Sequence, residues 1–149
     1  MRLVIQRVSE ASVAVEGKIV GKCGAGYLVL VGVEAGDTES DVRYCADKTI
    51  GLRVFQDDAG KMNRSILDVG GSVLAISQFT LLGDARHGRR PSFSDAARPE
   101  ISIPLYEQYC TFLRDAGIAT ETGVFGAEMR VSLVNEGPVT ILIDSRRRF

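Results

Sequence analysis

Tyr27-Leu28-Val29-Leu30-Val31-Gly32-Val33 is a nearly continuous apolar run, and Gly24-Ala25-Gly26 leads the chain into it. A strand with one face in water alternates apolar and polar residues, whereas one covered on both faces has no need to. The run therefore reads as a buried central strand, and the rest of the chain must cover it on both sides. Upstream, residues 2–8 are rich in Leu, Val and Ile, and Ser12-Val13-Ala14-Val15 is separated by Glu16-Gly17 from Lys18-Ile19-Val20. Two short β-favouring runs about a glycine turn predict a hairpin.

Downstream the periodicity changes. Thr38 and Asp41 have the spacing of a capping box, with Asp in place of the usual Glu. Val42, Cys45, Ala46, Thr49 and Ile50 follow at helical spacing as one buried stripe. Leu52-Arg53-Val54-Phe55 reads as a strand closed by the turn Asp57-Asp58-Ala59-Gly60, and a long β segment is predicted from Ser72 to Leu82. Residues 83–100 are polar, Arg-rich and aperiodic, hence a loop, and loops this long in small domains are usually functional or mobile. Ser102 is the predicted cap of a second helix, with Pro104 in its first turn, where a missing N–H costs little. Leu105, Tyr109, Phe112, Leu113 and Ala116 form its apolar face and Gly117 its stop. Three β segments, about 118–124, 128–134 and 139–144, are expected to finish the chain. The class is α+β: a mainly antiparallel, curved, barrel-like sheet with two helices packed on it, in a single domain over residues 1–149.

Composition sets limits on function. With 149 residues, 45% hydrophobic and 25% charged, the chain is that of an ordinary soluble domain. Such a domain buries about 68–70% of its unfolded surface. Eighteen Lys+Arg against 19 Asp+Glu leave a net charge of -1, which argues against binding nucleic acid by bulk charge. Contact with one RNA end through a local patch remains open. No apolar segment approaches the roughly 20 residues of a membrane span, and the charged N-terminus lacks a secretory h-region, so a cytoplasmic protein is expected. Cys23, Cys45 and Cys110 are odd in number and far apart, offering neither a disulfide framework nor a CxxC metal pair.

The familiar catalytic signatures are missing. There is no GxxxxGKS/T loop, GxGxxG turn, GxSxG elbow or HExxH pair, and the one histidine, His87, has no partner marked near it. No metal site or cofactor is expected. Three segments draw notice on physical grounds. Ser77-Gln78-Phe79-Thr80-Leu81 ends an apolar strand; alternation would put Ser77 with Phe79 on one face and Gln78 with Thr80 on the other. It fits a cluster of donors, or simply a strand fraying into a polar loop. Asn135-Glu136-Gly137-Pro138-Val139-Thr140 lies between two β segments and fits a hairpin turn. A cis X-Pro bond, found in about 5–6% of cases, would re-aim its carbonyls. Arg86-His87-Gly88-Arg89-Arg90-Pro91-Ser92-Phe93 combines three arginines with an aromatic ring, which suits phosphate contact and stacking or a merely solvated loop. Arg146-Arg147-Arg148 reads as a solvated tail.

Taken in order, five motifs carry a resemblance: Met1-Arg2-x-Val4-Ile5-Gln6-Arg7-Val8, Ser77-Gln78-Phe79-Thr80-Leu81, Gly88-Arg89-Arg90-Pro91-Ser92-Phe93, Phe125-Gly126-Ala127-x-Met129 and Asn135-x-Gly137-Pro138-Val139-Thr140. Over essentially its whole length the chain resembles the D-aminoacyl-tRNA deacylases of the bacterial and eukaryotic type. The resemblance implies a homodimer that hydrolyses the ester joining a D-amino acid, or glycine, to the 3′-terminal adenosine of tRNA, sparing the L form. It implies that Ser77, Gln78, Phe79 and Thr80 line the adenosine and ester carbonyl. Gly137 and Pro138 would carry a cis bond into the other subunit's pocket. Phe125 and Met129 would lie near the adenine, and Arg7 and Asn135 would support the Gly-Pro motif. An enzyme serving many tRNAs needs to hold mainly their common CCA end, for which a small basic patch of Arg86, Arg89 and Arg90 suffices. His87 is given no role. Rival readings are a related deacylase with a trans Gly-Pro acting on misacylated L-alanine, and a noncatalytic tRNA- or DNA-binding module.

Overall fold

The computed structural model describes residues 1–149. Its strands and helices are β1 (Arg2–Val15), β2 (Lys18–Cys23), β3 (Gly26–Gly32), α1 (Glu39–Gly51), β4 (Phe55–Gln56), β5 (Met62–Arg64), β6 (Ser72–Ser77), α2 (Pro99–Asp115), β7 (Thr120–Thr122) and β8 (Arg130–Asp144). A 3-10 turn, Phe79–Leu82, follows β6. The apolar run at 27–33 does form the central strand. Tyr27, Val29 and Val31 point into a cluster of 20 buried residues under the two helices, while Leu28 joins a second cluster of 7 with Val13, Leu74 and Ile76. Its partner β6 divides in the same way, Val73 and Ala75 to the first cluster and Leu74 and Ile76 to the second. A strand pair covered on both faces has no polar alternation to show.

The sheet is mixed. β1 pairs antiparallel with β2, β3 and β8, whereas β3 with β6 and β6 with β7 are parallel. Parallel neighbours need long crossovers; α1 lies within the one between β3 and β6, and α2 within the one between β6 and β7. The sheet curls until β2 meets β7. The Lys22 amide donates to Glu121 Oε1 at 3.2 Å, and a side chain at Gly21 would collide with the Thr122 carbonyl. The strands thus form a nearly closed barrel in the order β1, β3, β6, β7, β2, with β8 along the other edge of β1.

Local signals act as expected at several points. Glu16 and Gly17 both take positive φ, 51° and 78°, in the β1–β2 turn. Thr38 and Asp41 form the capping box of α1. Gly117, at φ 90°, ends α2, where the Ile118 amide donates to the Leu113 carbonyl at 3.1 Å and the Gly117 amide to Arg114 at 2.9 Å. That pair of bonds is a Schellman cap. Between the helices the Thr49 hydroxyl donates to the Cys45 carbonyl and accepts from the Tyr109 hydroxyl, each at 2.8 Å.

Other expectations are corrected. α2 starts at Pro99, not near Ser102; Pro99 takes the N-terminal position, Arg98 caps without a side-chain bond, and Pro104 lies inside the helix. Of the 52–55 segment only Phe55 pairs as strand, and the pairing continues to Gln56. The segment from Ser72 stops pairing at Ser77 instead of running to Leu82. The final segments are also different: β7 is three residues long, and β8 is one strand where two were expected. No helix is long and apolar enough to cross a membrane.

The C-terminal arginines are not a solvated tail. Arg148 bonds Glu34 and, at 2.7 Å, Asp144, while Arg146 reaches Glu34 and Asp37. The Met1 ammonium pairs with Asp37 at 2.7 Å in full burial. Glu34 is held below the ordinary carboxylate range, first by the Arg148 hydrogen bond. At Asp144 burial pushes the carboxyl up, but Arg148 and the Arg146 amide outweigh it and the net shift is down. Folded values below unfolded ones mean that the stabilisation is complete above the unfolded range, about pH 4, and is lost as pH falls through the depressed values. Arg148→Ala should therefore lower the unfolding free energy from urea titration at pH 7, by about 1 kcal/mol because solvent reaches the guanidinium. It should also flatten the acid side of the stability profile; an unchanged acid slope in urea titrations would refute the assignment.

Candidate functional site

The parallel ladder between β3 and β6 ends at the Val31–Ser77 pair. One further bond, from the Gln78 amide to the Val31 carbonyl at 2.7 Å, holds the exit of β6. There Gln78, at φ -142° and ψ 80°, turns the chain into the 3-10 turn. Leu82 anchors that turn at 1% exposure against Gly32, whose missing side chain leaves it room: a Cβ there would lie 2.7 Å from Leu82 Cδ2. The turn's own bonds begin with Leu81 N–H to the Gln78 carbonyl at 3.2 Å. The N–H groups of Phe79 and Thr80 precede it and find no acceptor in the protein. The expected strand alternation of Ser77 and Phe79 against Gln78 and Thr80 is thus replaced by a turn that frees two amides. The Thr80 hydroxyl accepts from the Gln78 amide. No histidine, carboxylate or lysine bonds to it.

A cleft of ≈ 230 Å³ opens beside this turn, lined by Ser77, Gln78 and Phe79 on one side and by Phe125, Gly126 and Met129 on the other. The far wall is a tight turn in which the Ala127 amide donates to the Val124 carbonyl at 3.2 Å, with Gly126 at φ 76°. Phe125 rests on the ring of Tyr106, centroids 6.2 Å apart, and the Tyr106 hydroxyl is fixed to the Ala75 carbonyl of β6 at 2.8 Å. Gly123 makes room for Met129: a Cβ there would stand 2.5 Å from its sulfur. Tyr106 and Gly123 were not singled out from the sequence. Both look like ordinary core or turn residues until the fold places them behind the cleft.

The arginine loop begins where the 3-10 turn ends. Asp84 and Ser92 exchange backbone hydrogen bonds of 2.7 and 2.8 Å, closing a loop with Arg86, His87, Arg89 and Arg90 at its exposed tip. Arg86 differs from the expected patch. Its guanidinium is gripped twice by Asp84, at 2.9 and 2.7 Å, which holds that carboxyl down at about 2. Arg89 and Arg90 have no protein partner, and neither has the His87 side chain. Phe93 returns to meet Phe79 edge-on, centroids 5.2 Å apart.

The Asn135–Thr140 segment is not a hairpin turn. β8 runs on in one direction, and its register against β1 passes from Val8–Asn135 to Gln6–Thr140, so residues 136–139 face Arg7 alone. Four residues against one must leave the ladder as a bulge. The Asn135 side-chain amide closes its neck with donations to the carbonyls of Arg7 and Val139, both at 3.0 Å. Arg7, only 9% exposed, donates to the Glu136 carbonyl at 3.3 Å and to Val54 at 2.5 Å. The Gly137–Pro138 bond is cis, and both residues are exposed. Gly137, with Arg7, lines a different cleft of ≈ 410 Å³ from the one beside Ser77–Phe79. Within one chain the two groups of site residues stand apart. No group of three or more His, Cys, Asp or Glu is placed to hold a metal ion.

Fold and cleft define a class: an α+β barrel with a small aromatic-walled cleft at the carboxyl ends of parallel strands, presenting free amides and no acid–base pair. The family profile described as D-Tyr-tRNA(Tyr) deacylase matches residues 4–144, and the chain belongs to that family. A relative named D-aminoacyl-tRNA deacylase, from Desulfitobacterium hafniense, is 58% identical over 149 residues, 100% of each chain. A solved structure titled c-Myc DNA Unwinding Element Binding Protein superposes with a TM-score of 0.90 at 36% identity, covering 97% of this chain and 98% of that one. Another, titled as a probable eukaryotic D-amino acid tRNA deacylase, shares the fold with a TM-score of 0.81 at 20% identity, over 95% and 97%.

Asn135→Ala would leave the Arg7 and Val139 carbonyls without their donor. A loss of about 1–2 kcal/mol in urea unfolding is expected, together with faster amide exchange at Glu136, Gly137 and Val139. Unchanged exchange there would show that the bulge holds without its clip.

Proposed function

We propose that this protein hydrolyses the ester between a D-amino acid and the 3′-terminal adenosine of tRNA. Family membership supports the reaction class. The single observation that carries the chemistry is the pair of free amides at Phe79 and Thr80 beside the cleft. Ester hydrolysis builds negative charge on the carbonyl oxygen, and preorganised N–H donors aimed at it lower that barrier. Thr80 is poorly equipped to attack, since a hydroxyl nucleophile needs a base within about 2.6–3.2 Å and its hydroxyl contacts only the Gln78 amide. The attacking group is water, assisted by the substrate's own terminal 2′-hydroxyl. Phe125 and Met129 hold the adenine, and Ser77 and Gln78 lie along the ester.

Chiral selection is assigned to Gly137 and Pro138. D- and L-esters differ only in which direction from Cα carries the side chain, so an enzyme accepting many side chains does best by rejecting one direction. The carbonyls of the exposed Gly137 and Pro138, in the bulge that Asn135 and Arg7 hold, are the obstacle, presented to the Ser77–Thr80 cleft of a second subunit. Support for such a dimer comes from β8, whose outer edge is unpaired and exposes Val134 at 47% and Leu142 at 57%. Open apolar edges are normally covered. Glycine has nothing to clash, so glycyl-tRNA is cleaved too. An enzyme with this substrate works in the cytoplasm. The DNA-binding title of one structural neighbour is a weaker guide, because a net charge of -1 gives duplex DNA little to attract.

Purified protein should turn over D-tyrosyl-tRNA and spare L-tyrosyl-tRNA; no turnover of either would end the proposal. A terminal 2′-deoxyadenosine should slow deacylation by about 100-fold or more, while Thr80→Ala retains most activity. Full activity on the 2′-deoxy substrate with an inactive Thr80→Ala would make Thr80 the nucleophile.

A further inference from the structure

Phe79 and Phe93 belong to neither apolar core, yet they form an edge-to-face pair, rings at 73°, with 55% and 37% of their surfaces exposed. Phe93 is held from several directions. The Asp84–Ser92 bonds fix the backbone just before it, and the Ala96 amide donates to its carbonyl at 3.1 Å. Beneath it lies Gly83, where a Cβ would stand 3.0 Å from the ring. A rigid, half-exposed ring costs little entropy to stack against. The surrounding charge is equally particular: Asp84 neutralises Arg86, leaving Arg89 and Arg90 as the free cations of the loop.

Phe79 lines the cleft and touches Phe93, so the aromatic surface continues from the cleft into the arginine loop. We propose that residues 83–93 form a second binding subsite, for the nucleotide that precedes the terminal adenosine of a single-stranded RNA 3′ end. Phe93 stacks its base, and Arg89 and Arg90 meet the adjoining phosphates. Aromatic stacking tolerates any base, and guanidinium groups suit phosphate oxygens. A duplex would hide the base faces that such a ring needs. The subsite rests on the RNA-end reading above and extends it by one nucleotide.

The test compares adenosine with the uncharged trinucleotide CCA as ligands, and their D-tyrosyl esters as substrates. The trinucleotide should bind at least about tenfold tighter than adenosine. Phe93→Leu should remove most of that advantage, raising the KM ratio of trinucleotide to nucleoside ester about tenfold with kcat nearly unchanged. The double variant Arg89→Ala/Arg90→Ala, on the loop surface, should weaken CCA binding and reduce its salt dependence, whether or not Phe93→Leu folds. Equal loss for both ligands would reduce Phe93 to a prop for Phe79 and overturn the proposal, as would equal affinity of wild type for adenosine and CCA. Tight CCA binding without ester hydrolysis would instead overturn the deacylase reading and leave the subsite standing.

Discussion

The parallel pairing of β3 with β6 puts both faces of two apolar strands out of water at once, and most of the architecture answers that demand. One face takes α1 and α2; the other is closed by curling the sheet until β2 meets β7. Each fully buried Leu, Ile or Val on these strands contributes about 1.5–3 kcal/mol, so neither cover is optional. Parallel strands also cannot end in tight hairpins. Their carboxyl ends are therefore left to loops, and ligand clefts in sheets of this kind collect there. The cleft beside Ser77–Phe79 lies at such an end. Its free amides are what remains when the ladder stops one residue after Ser77 and the chain turns too tightly to bond Phe79 and Thr80.

The Gly137–Pro138 bulge depends on β1. One edge of this strand serves β3 and then β2, while the other serves β8 almost throughout. A bulge in β8 cannot be absorbed by shifting β1, because β1 is held on its far side. The extra residues 136–139 must project outward, and their position is set by what fills the gap in the ladder. The buried Arg7 side chain does so from within the sheet and Asn135 from the neck. Gly137 suits this arrangement for a local reason: at φ 119° with the Arg7 guanidinium 2.9 Å from where a Cβ would stand, no larger residue fits without displacing the arginine.

Much of this was legible in the sequence where a signal is local. Two-sided burial of 27–33, the Glu16-Gly17 turn, the Thr38–Asp41 box and the Gly117 stop each follow from residues within one turn of the feature. Features set by distant partners carry no such local signal. Ser72–Leu82 has the composition of one strand, but pairing ends at Ser77 because Gly32 admits Leu82 and pulls the chain into a 3-10 turn. Asn135–Pro138 has the composition of a turn, yet β1 is long enough to pair on both sides of it, so the strand continues. Arg146 and Arg148 look free in the sequence because Glu34, Asp37 and Asp144 are far away or unremarkable there. The site motifs were recognisable by family resemblance, whereas Tyr106 and Gly123, which position them, carry no local mark.

Net charge hides how the cations are used. Half of the arginines are paired with carboxylates inside the molecule: Arg2 and Arg148 with Asp144, Arg43 with Glu39, Arg64 with Asp58, Arg86 with Asp84, Arg98 with Glu100 and Arg146 with Asp37. A committed guanidinium adds little to the field that a phosphate meets, because its partner carboxylate cancels it at distances beyond the pair. Arg89 and Arg90 stand adjacent, exposed and unmatched in the loop that the Asp84–Ser92 bonds close just before Phe93. A near-neutral protein can therefore present positive, aromatic surfaces locally, here and where Lys48 and Arg147 lie over the Tyr44 ring. Such a surface suits the proposed single-stranded RNA end and is too small for a duplex, in keeping with a neighbouring cleft of only ≈ 230 Å³.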